Sequence, residues 1–216
     1  MTAQARTRKQ ENGYVGRLFI ISGPSGAGKT SVCTPVLDRL PGLELSVSFT
    51  TRRPRSGEVE GRDYRFVSDA VFDSMIEGGE FGEHARVHGS RYGTSKRFLD
   101  DAIGGGRSVL LDIDVQGARK LRLSYPQART VFLLPPSRKH LERRLAGRGT
   151  EDDATVQGRL GAACAEIEQA RSYDLVIVND RLDKAVDRLV DFIKQGGAVE
   201  KDEAETERII KKLVGR

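Results

Sequence analysis

Residues 23–30, Gly-Pro-Ser-Gly-Ala-Gly-Lys-Thr, set three glycines ahead of one lysine and one hydroxyl. Gly23, Gly28, Lys29 and Thr30 fit the pattern G-x-x-x-x-G-K-[ST], with Pro24, Ser25, Gly26 and Ala27 between them. Glycines let successive backbone N–H groups converge on an anion, and a helix starting there adds the partial positive charge of its N-terminus. Lys29 is then placed to reach β- and γ-phosphate oxygens, and the Thr30 hydroxyl to hold Mg²⁺. A site of this kind also needs an acid at the end of a neighbouring strand. The run Ser-Val-Leu-Leu-Asp-Ile-Asp (108–114) supplies two. Asp112 is expected to meet Mg²⁺ through water, and Asp114 to contact substrate.

A phosphate loop implies a nucleoside triphosphate but leaves the acceptor of the phosphoryl group open. Three clusters bear on it. Arg52, Arg53 and Arg55 fall within four positions, and the planar guanidinium fork suits bidentate binding of phosphate oxygens. Glu83, Tyr92 and Thr94 lie in Phe-Gly-Glu-His-Ala-Arg-Val-His-Gly-Ser-Arg-Tyr-Gly-Thr-Ser. Arg143, Arg144, Arg148 and Arg159 sit on two helical stretches around a glycine-containing break. Alone, an Arg-Pro-Arg turn or a basic helix is ordinary solvated surface. Beside a phosphate loop, the third cluster reads as a lid that brings arginines onto the phosphoryl group in transfer.

The elements that must position these residues follow from the hydrophobic pattern. Apolar runs at 17–21, 108–117, 130–136 and 174–180 read as buried strands, separated by helices. One helix follows the loop through about residue 40, with a bend expected at Pro35. Residues 69–77, 95–103 and 182–196 show helical patterns, and 198–216 a charged helix. Short continuous apolar strands between helices predict an α/β fold with a mostly parallel sheet covered on both faces. The stretch at about 46–95 breaks that rhythm and reads as an inserted lobe. The helical lid is expected at about 138–165, and closure of both over the substrates would exclude water. Core segments are then 17–45, 104–137 and 170–197, with residues 1–16 a disordered tail.

Composition narrows the class. The 216 residues are 38% hydrophobic and 31% charged, enough for one domain with lobes. The net charge of +5 is modest, so no nucleic-acid partner is expected. Two distant cysteines, Cys33 and Cys164, argue against a disulfide scaffold or a Cys-rich zinc site. No apolar run approaches the ~20 residues of a membrane span, and the first 16 residues have no apolar signal core. A soluble cytoplasmic protein, monomeric or homo-oligomeric, is expected.

From about Arg17 to Ile193 the sequence closely resembles the guanylate kinases. The shared signposts are SGPSGAGKT, SVSFTTRRPRSGEVEGRDYRFV, RYGTS, LDIDVQG, PPS, RLAGRGTE and VIVND. The resemblance implies a P-loop NTPase-type sheet with a GMP-binding lobe and a lid. It implies transfer of the ATP γ-phosphoryl group to GMP, and to dGMP, with Mg²⁺. By the same resemblance Arg52, Arg55, Tyr64 and Tyr92 hold the GMP phosphate, and Ser48, Glu83, Thr94 and Asp114 hold guanine. Arg148 and Arg159, with Arg144 a weaker candidate, reach the ATP phosphates. Asn179 lies near the adenine, and Lys29, Arg55, Arg148 and Arg159 form the catalytic set. Chemistry agrees at Glu83, since guanine offers N1–H and the N2 amine as adjacent donors to one carboxylate. The acceptor phosphate is itself the nucleophile, so His84, His88 and His140 need no catalytic role. Two other readings remain: a P-loop kinase of a phosphorylated ribose, and a non-catalytic guanylate-kinase-like interaction domain. The guanine-binding set argues against the first, and the intact loop against the second.

Overall fold

The computed structural model describes residues 16–87, 89–146, 153–199 and 201–215. In chain order the strands are β1 (Leu18–Ser22), β2 (Leu43–Leu45), β3 (Phe49–Thr50), β4 (Arg65–Phe66), β5 (Phe81–Val87), β6 (Ser90–Ser95), β7 (Ser108–Asp112), β8 (Arg129–Leu134) and β9 (Leu175–Val178). The helices are α1 (Lys29–Arg39), α2 (Asp69–Glu77), α3 (Lys96–Gly104), α4 (Val115–Ser124), α5 (Arg138–Ala146), α6 (Asp153–Glu168), α7 (Leu182–Lys194) and α8 (Glu203–Val214), with a 3₁₀ turn at Gln169–Ser172. They gather into two compact units. One holds residues up to Leu18 and Pro41–Ala128, the other Phe19–Leu40 and the chain from Arg129 onward.

The second unit is built on parallel strands. β1 pairs with β8 and β8 with β9, setting Phe19 beside Arg129 and Leu133 beside Ile177. All five residues of β1 are buried, as a continuous apolar run requires when both faces are covered. Helix α7 buries Ala185, Val186, Leu189, Val190, Phe192 and Ile193, an apolar stripe at helical spacing. It packs on α1, and Phe192 meets the Phe19 ring edge-on at 6.2 Å. Helix α1 runs through Pro35, the site of the expected bend. The break expected between α5 and α6 falls at 147–152, outside the described residues, as does the tail at 1–15.

The first unit carries the parallel pair β2–β7 and a separate four-stranded sheet in the order β4-β3-β6-β5. In the latter, β5 and β6 form an antiparallel hairpin, β3 is antiparallel to β6, and β3 is parallel to β4. Phe81, the first residue of β5, packs against Phe72 at 4.6 Å and Phe49 at 5.9 Å between ring centroids. Serine caps fix two helix starts: Ser68 accepts from the Val71 N–H and Ser95 from the Phe98 N–H. The apolar run at 108–117 divides into a strand and a helix start. Asp114 caps α4, accepting from the Gln116 and Gly117 N–H groups at 2.8 and 3.2 Å.

The parallel sheet flanked by helices thus forms as the apolar runs predict. No disulfide joins Cys33 and Cys164. Among the described residues no helix is long and apolar enough to cross a membrane.

One polar staple closes the base of β8. The N–H and the hydroxyl of Thr130, a fully buried residue, both donate to Asp174 Oδ2 at 2.7 Å. Asp174→Ala removes the acceptor and strands both donors. The expected loss is about 2–3 kcal/mol of unfolding free energy, read from urea denaturation as a lower midpoint at an unchanged slope.

Candidate active site

In the second unit, β1 ends at Ser22 and the chain turns at once into the glycine-rich loop. Gly23 has φ 151°, and a Cβ there would lie 2.3 Å from the Leu133 carbonyl of β8. No other residue fits between the loop and that strand. The Ala27 N–H closes a turn onto the Pro24 carbonyl at 3.0 Å. Buried Asn179, just past β9, donates its side-chain amide to the Ala27 carbonyl at 2.9 Å. Lys29 Nζ donates to the Gly23 carbonyl at 3.1 Å, so the ammonium lies folded over the loop. From α5, Arg144 Nη1 donates to the Gly26 carbonyl at 2.7 Å. Thr30 is exposed in the first turn of α1. The structure therefore gathers Gly23–Thr30, Asn179 and Arg144 in one place. Arg148 lies outside the described residues, as does the side chain of Arg159, whose backbone belongs to α6.

The first unit carries two clusters. In one, the Arg52 guanidinium donates to Glu58 at 2.8 Å and to the Arg53 carbonyl at 2.7 Å. It stands 5.3 Å from the Tyr64 ring centroid, and the Tyr92 hydroxyl also bonds it. Its Nε is buried and has no partner among the described residues. Tyr64 and Tyr92 meet edge-on at 5.9 Å. Burial, with the nearby Asp112 carboxylate, pushes the Tyr64 hydroxyl up to about 12, so it stays a donor at neutral pH. The Arg55 N–H donates to Glu58 Oε2 at 2.7 Å, leaving its exposed side chain outside that pair.

In the second cluster Glu83 is only 6% exposed on β5, and the Thr94 hydroxyl of β6 donates to it at 2.6 Å. Burial pushes the Glu83 carboxyl up to about 7, with Asp114 adding repulsion, while Thr94 and Lys120 act in the opposite sense. Gly117 on α4 leaves room for it, since a Cβ there would come within 2.7 Å of Glu83 Oε2. Ser48 is buried just before β3, where its carbonyl accepts from the Arg65 N–H at 2.9 Å.

Three contributors escape a reading of the sequence alone. Glu58 orders both Arg52 and the Arg55 backbone; its signal is a carboxylate three residues after Arg55 in a Gly-containing turn. Gly117 lies at the end of the apolar run 108–117, and its missing side chain admits Glu83. Arg91, beside Tyr92, donates to Asp69 and Asp73 of α2 and stacks 4.8 Å over Phe72. The histidines hold local roles. His84 lies edge-on to Phe72, and burial lowers its pKa; His140 shares a hydrogen bond with the Ser137 hydroxyl at 2.8 Å. His88 lies outside the described residues.

A parallel α/β sheet whose first strand runs into a glycine, lysine and threonine loop ahead of a helix defines a P-loop nucleotide-binding protein. The Guanylate kinase family model matches residues 15–196. A guanylate kinase of Geobacter metallireducens is 50% identical over 174 residues, covering 81% of this chain and 86% of the relative. One from Dechloromonas aromatica is 47% identical over 182 residues, covering 84% and 90%. The crystal structure of guanylate kinase from Anaplasma phagocytophilum superimposes with a TM-score of 0.72 at 32% identity, covering 91% of this chain and 95% of that one. The chain belongs to the guanylate kinase family, nucleoside monophosphate kinases that transfer a phosphoryl group from ATP to GMP.

The raised Glu83 value carries a stability consequence. Between the ordinary 4.5 and about 7, folded Glu83 keeps a proton that the unfolded chain releases. The ionisation-linked cost of its burial is therefore absent well below pH 4.5, grows up to about pH 7, and levels off above. The full ionisation-linked cost corresponds to about 3 kcal/mol. Glu83→Gln does not titrate. Its stability relative to the parent should rise between pH 5 and pH 8, seen as a melting-temperature difference that moves in the variant's favour.

Proposed function

We propose that the first unit binds GMP, with Glu83 reading guanine and Arg52 leading the phosphate contacts, and that the loop at 23–30 holds ATP. The observation that carries this reading is the Glu83 pocket. A buried carboxylate seated on one hydroxyl is suited to a ligand with two adjacent donors, and the N1–H and N2 amine of guanine form such a pair. Adenine lacks it and would leave the carboxylate unpaired, at a cost of about 1–3 kcal/mol or more. Thr94, Asp114 and Ser48 complete the base contacts in this reading. Arg52, Arg55, Tyr64 and Tyr92 take the GMP phosphate, for which the buried Arg52 Nε–H is a ready donor.

On the donor side, backbone N–H groups of residues 23–30 hold the ATP phosphates, with Asn179 bordering the adenine. Lys29 leaves the Gly23 carbonyl for the phosphate oxygens. Arg148 and Arg159, on the lid at about 138–165, join Lys29 and Arg55 in sharing the charge of the transferring group. The Thr30 hydroxyl and Asp112 carboxylate are hard oxygen donors of the kind Mg²⁺ prefers, and they would hold the ion. When bound, Mg²⁺ neutralises charge on the ATP phosphates. An oxygen of the GMP phosphate attacks the γ-phosphorus as the bond to the ADP oxygen breaks, in line and without a covalent enzyme intermediate. No strong base is required, and dGMP shares every contact with base and phosphate.

The test is turnover with ATP, Mg²⁺ and each nucleoside monophosphate in turn. GMP and dGMP should be phosphorylated far faster than AMP, CMP or UMP. Lys29→Ala should lower turnover at least about 100-fold for every acceptor. Glu83→Gln should raise the KM for GMP by about tenfold or more while leaving the KM for ATP unchanged. Unaltered GMP kinetics in Glu83→Gln would reject the assignment of base recognition.

A further inference from the structure

The matched family domain ends at residue 196, yet the structure continues into an ordered helix, α8. That helix is specified locally. The Asp202 side chain caps it by accepting the Glu205 N–H at 2.8 Å, and Gly215 ends it in a left-handed conformation at φ 82°. Glu203 and Glu205 lie in its first turn, Lys211 and Lys212 in its last, as the helix dipole favours. Thr206, Ile210 and Leu213 form a buried stripe that packs on α6, on the 3₁₀ turn at Gln169–Ser172, and on α5.

Its polar ties are placed at the ends. Near its start, Arg171 in the 3₁₀ turn grips Glu207 with Nε at 2.8 Å and Nη2 at 3.1 Å, and the Lys201 ammonium meets the Arg171 carbonyl. At its finish, Arg138 Nη1 donates to the Val214 carbonyl at 3.1 Å, satisfying one of the carbonyls that a helix end leaves open. Arg138 is the first residue of α5, and Arg144, six residues further along the same helix, bonds the Gly26 carbonyl of the phosphate loop. One helix is thus tied to α8 at its first residue and to the loop near its last.

We infer that α8 is a positioning element of the ATP side: through Arg138 and the Ile210–Leu213 face it holds α5 so that Arg144 stays seated across the phosphate loop. This rests on the reading that the loop at 23–30 binds ATP. An exposed hydrogen bond of this kind adds little to stability, so its weight lies in geometry. What such a tie does fix is orientation, and a helix of nine residues transmits orientation as a stiff rod.

Leu213 is 2% exposed, so Leu213→Asp should release α8, while Arg138→Met cuts the tie to its end. In the full chain, Leu213→Asp should raise the KM for ATP by about tenfold and Arg138→Met by about two- to fivefold, both leaving the KM for GMP within about twofold. Arg138→Lys should recover part of the loss. The double variant should be no worse than Leu213→Asp alone, since a released α8 offers Arg138 nothing to hold. The inference is overturned if ATP kinetics stay at the parent value in both single variants, if the two KM values rise together, or if the effects multiply. Should Leu213→Asp fail to fold, the Arg138→Met and Arg138→Lys pair decides by the same KM comparison. A parent enzyme that does not use ATP would instead defeat the underlying reading, and that result is visible before any variant is made.

Discussion

A carboxylate sealed inside the first unit is the constraint around which the surrounding elements are arranged. Glu83 is 6% exposed, and removing a charged group from water is costly unless donors replace the water. Thr94 supplies one such donor from the adjacent strand at 2.6 Å. The antiparallel pairing of β5 with β6 puts that hydroxyl opposite Glu83. Asp114 caps α4, and Gly117 in its first turn leaves a gap that a methyl group would fill. The carboxyl responds by rising to about 7. Such a group is poised between neutral and ionised forms, and a ligand bringing two more donors would draw it to the ionised one. The same desolvation destabilises the folded chain wherever the carboxyl is ionised.

The arginine cluster nearby solves a different problem with different means. Arg52 is held from several directions, by Glu58, the Arg53 carbonyl and the faces of Tyr64 and Phe66. Its partner Glu58 sits lower than an ordinary carboxyl, chiefly because of that hydrogen bond. A long cation otherwise loses rotamer entropy when it meets an anion, so holding it in place beforehand lowers the cost of binding. The glycine-rich loop is held differently, by side chains that donate to its backbone carbonyls. The close approach of Gly23 to the Leu133 carbonyl and the hold of Asn179 on Ala27 fix the chain path, and Lys29 and Arg144 add charged donors to the Gly23 and Gly26 carbonyls.

Much of this was legible in the sequence, and the exceptions share a cause. The loop, the buried strands and the helices at 69–77 and 182–194 each carry a local signature: a spacing, a continuous apolar run, or an amphipathic period. Helix α4 was hidden because the apolar run leading into it continues past the strand, and only the cap geometry of Asp114 marks the change. Glu58 and Arg91 were missed because their value lies in partners brought by folding. Arg91 joins Asp69 and Asp73, 22 and 18 residues away, and its own backbone pairs with Thr51. A composition of many arginines says that phosphate can be bound, and it does not say which arginines will be held ready for it.

Acidic partners accompany many of these arginines, as Glu58 does Arg52 and Asp69 and Asp73 do Arg91. An arginine already paired with a carboxylate must share or exchange that partner when a phosphate arrives, which costs part of the attraction. Left unpaired, several guanidinium groups close together would repel one another and the segment would lose its fixed shape. The Arg52–Glu58 pair settles this conflict by geometry. Glu58 uses one oxygen for Arg52 and the other for the Arg55 N–H, so it orders the turn while engaging only one edge of the guanidinium. The Nε–H, buried against the aromatic rings, keeps its capacity to donate. The same carboxylate therefore orders the turn and leaves the Arg52 Nε–H able to donate, and replacing Glu58 would loosen the arginine.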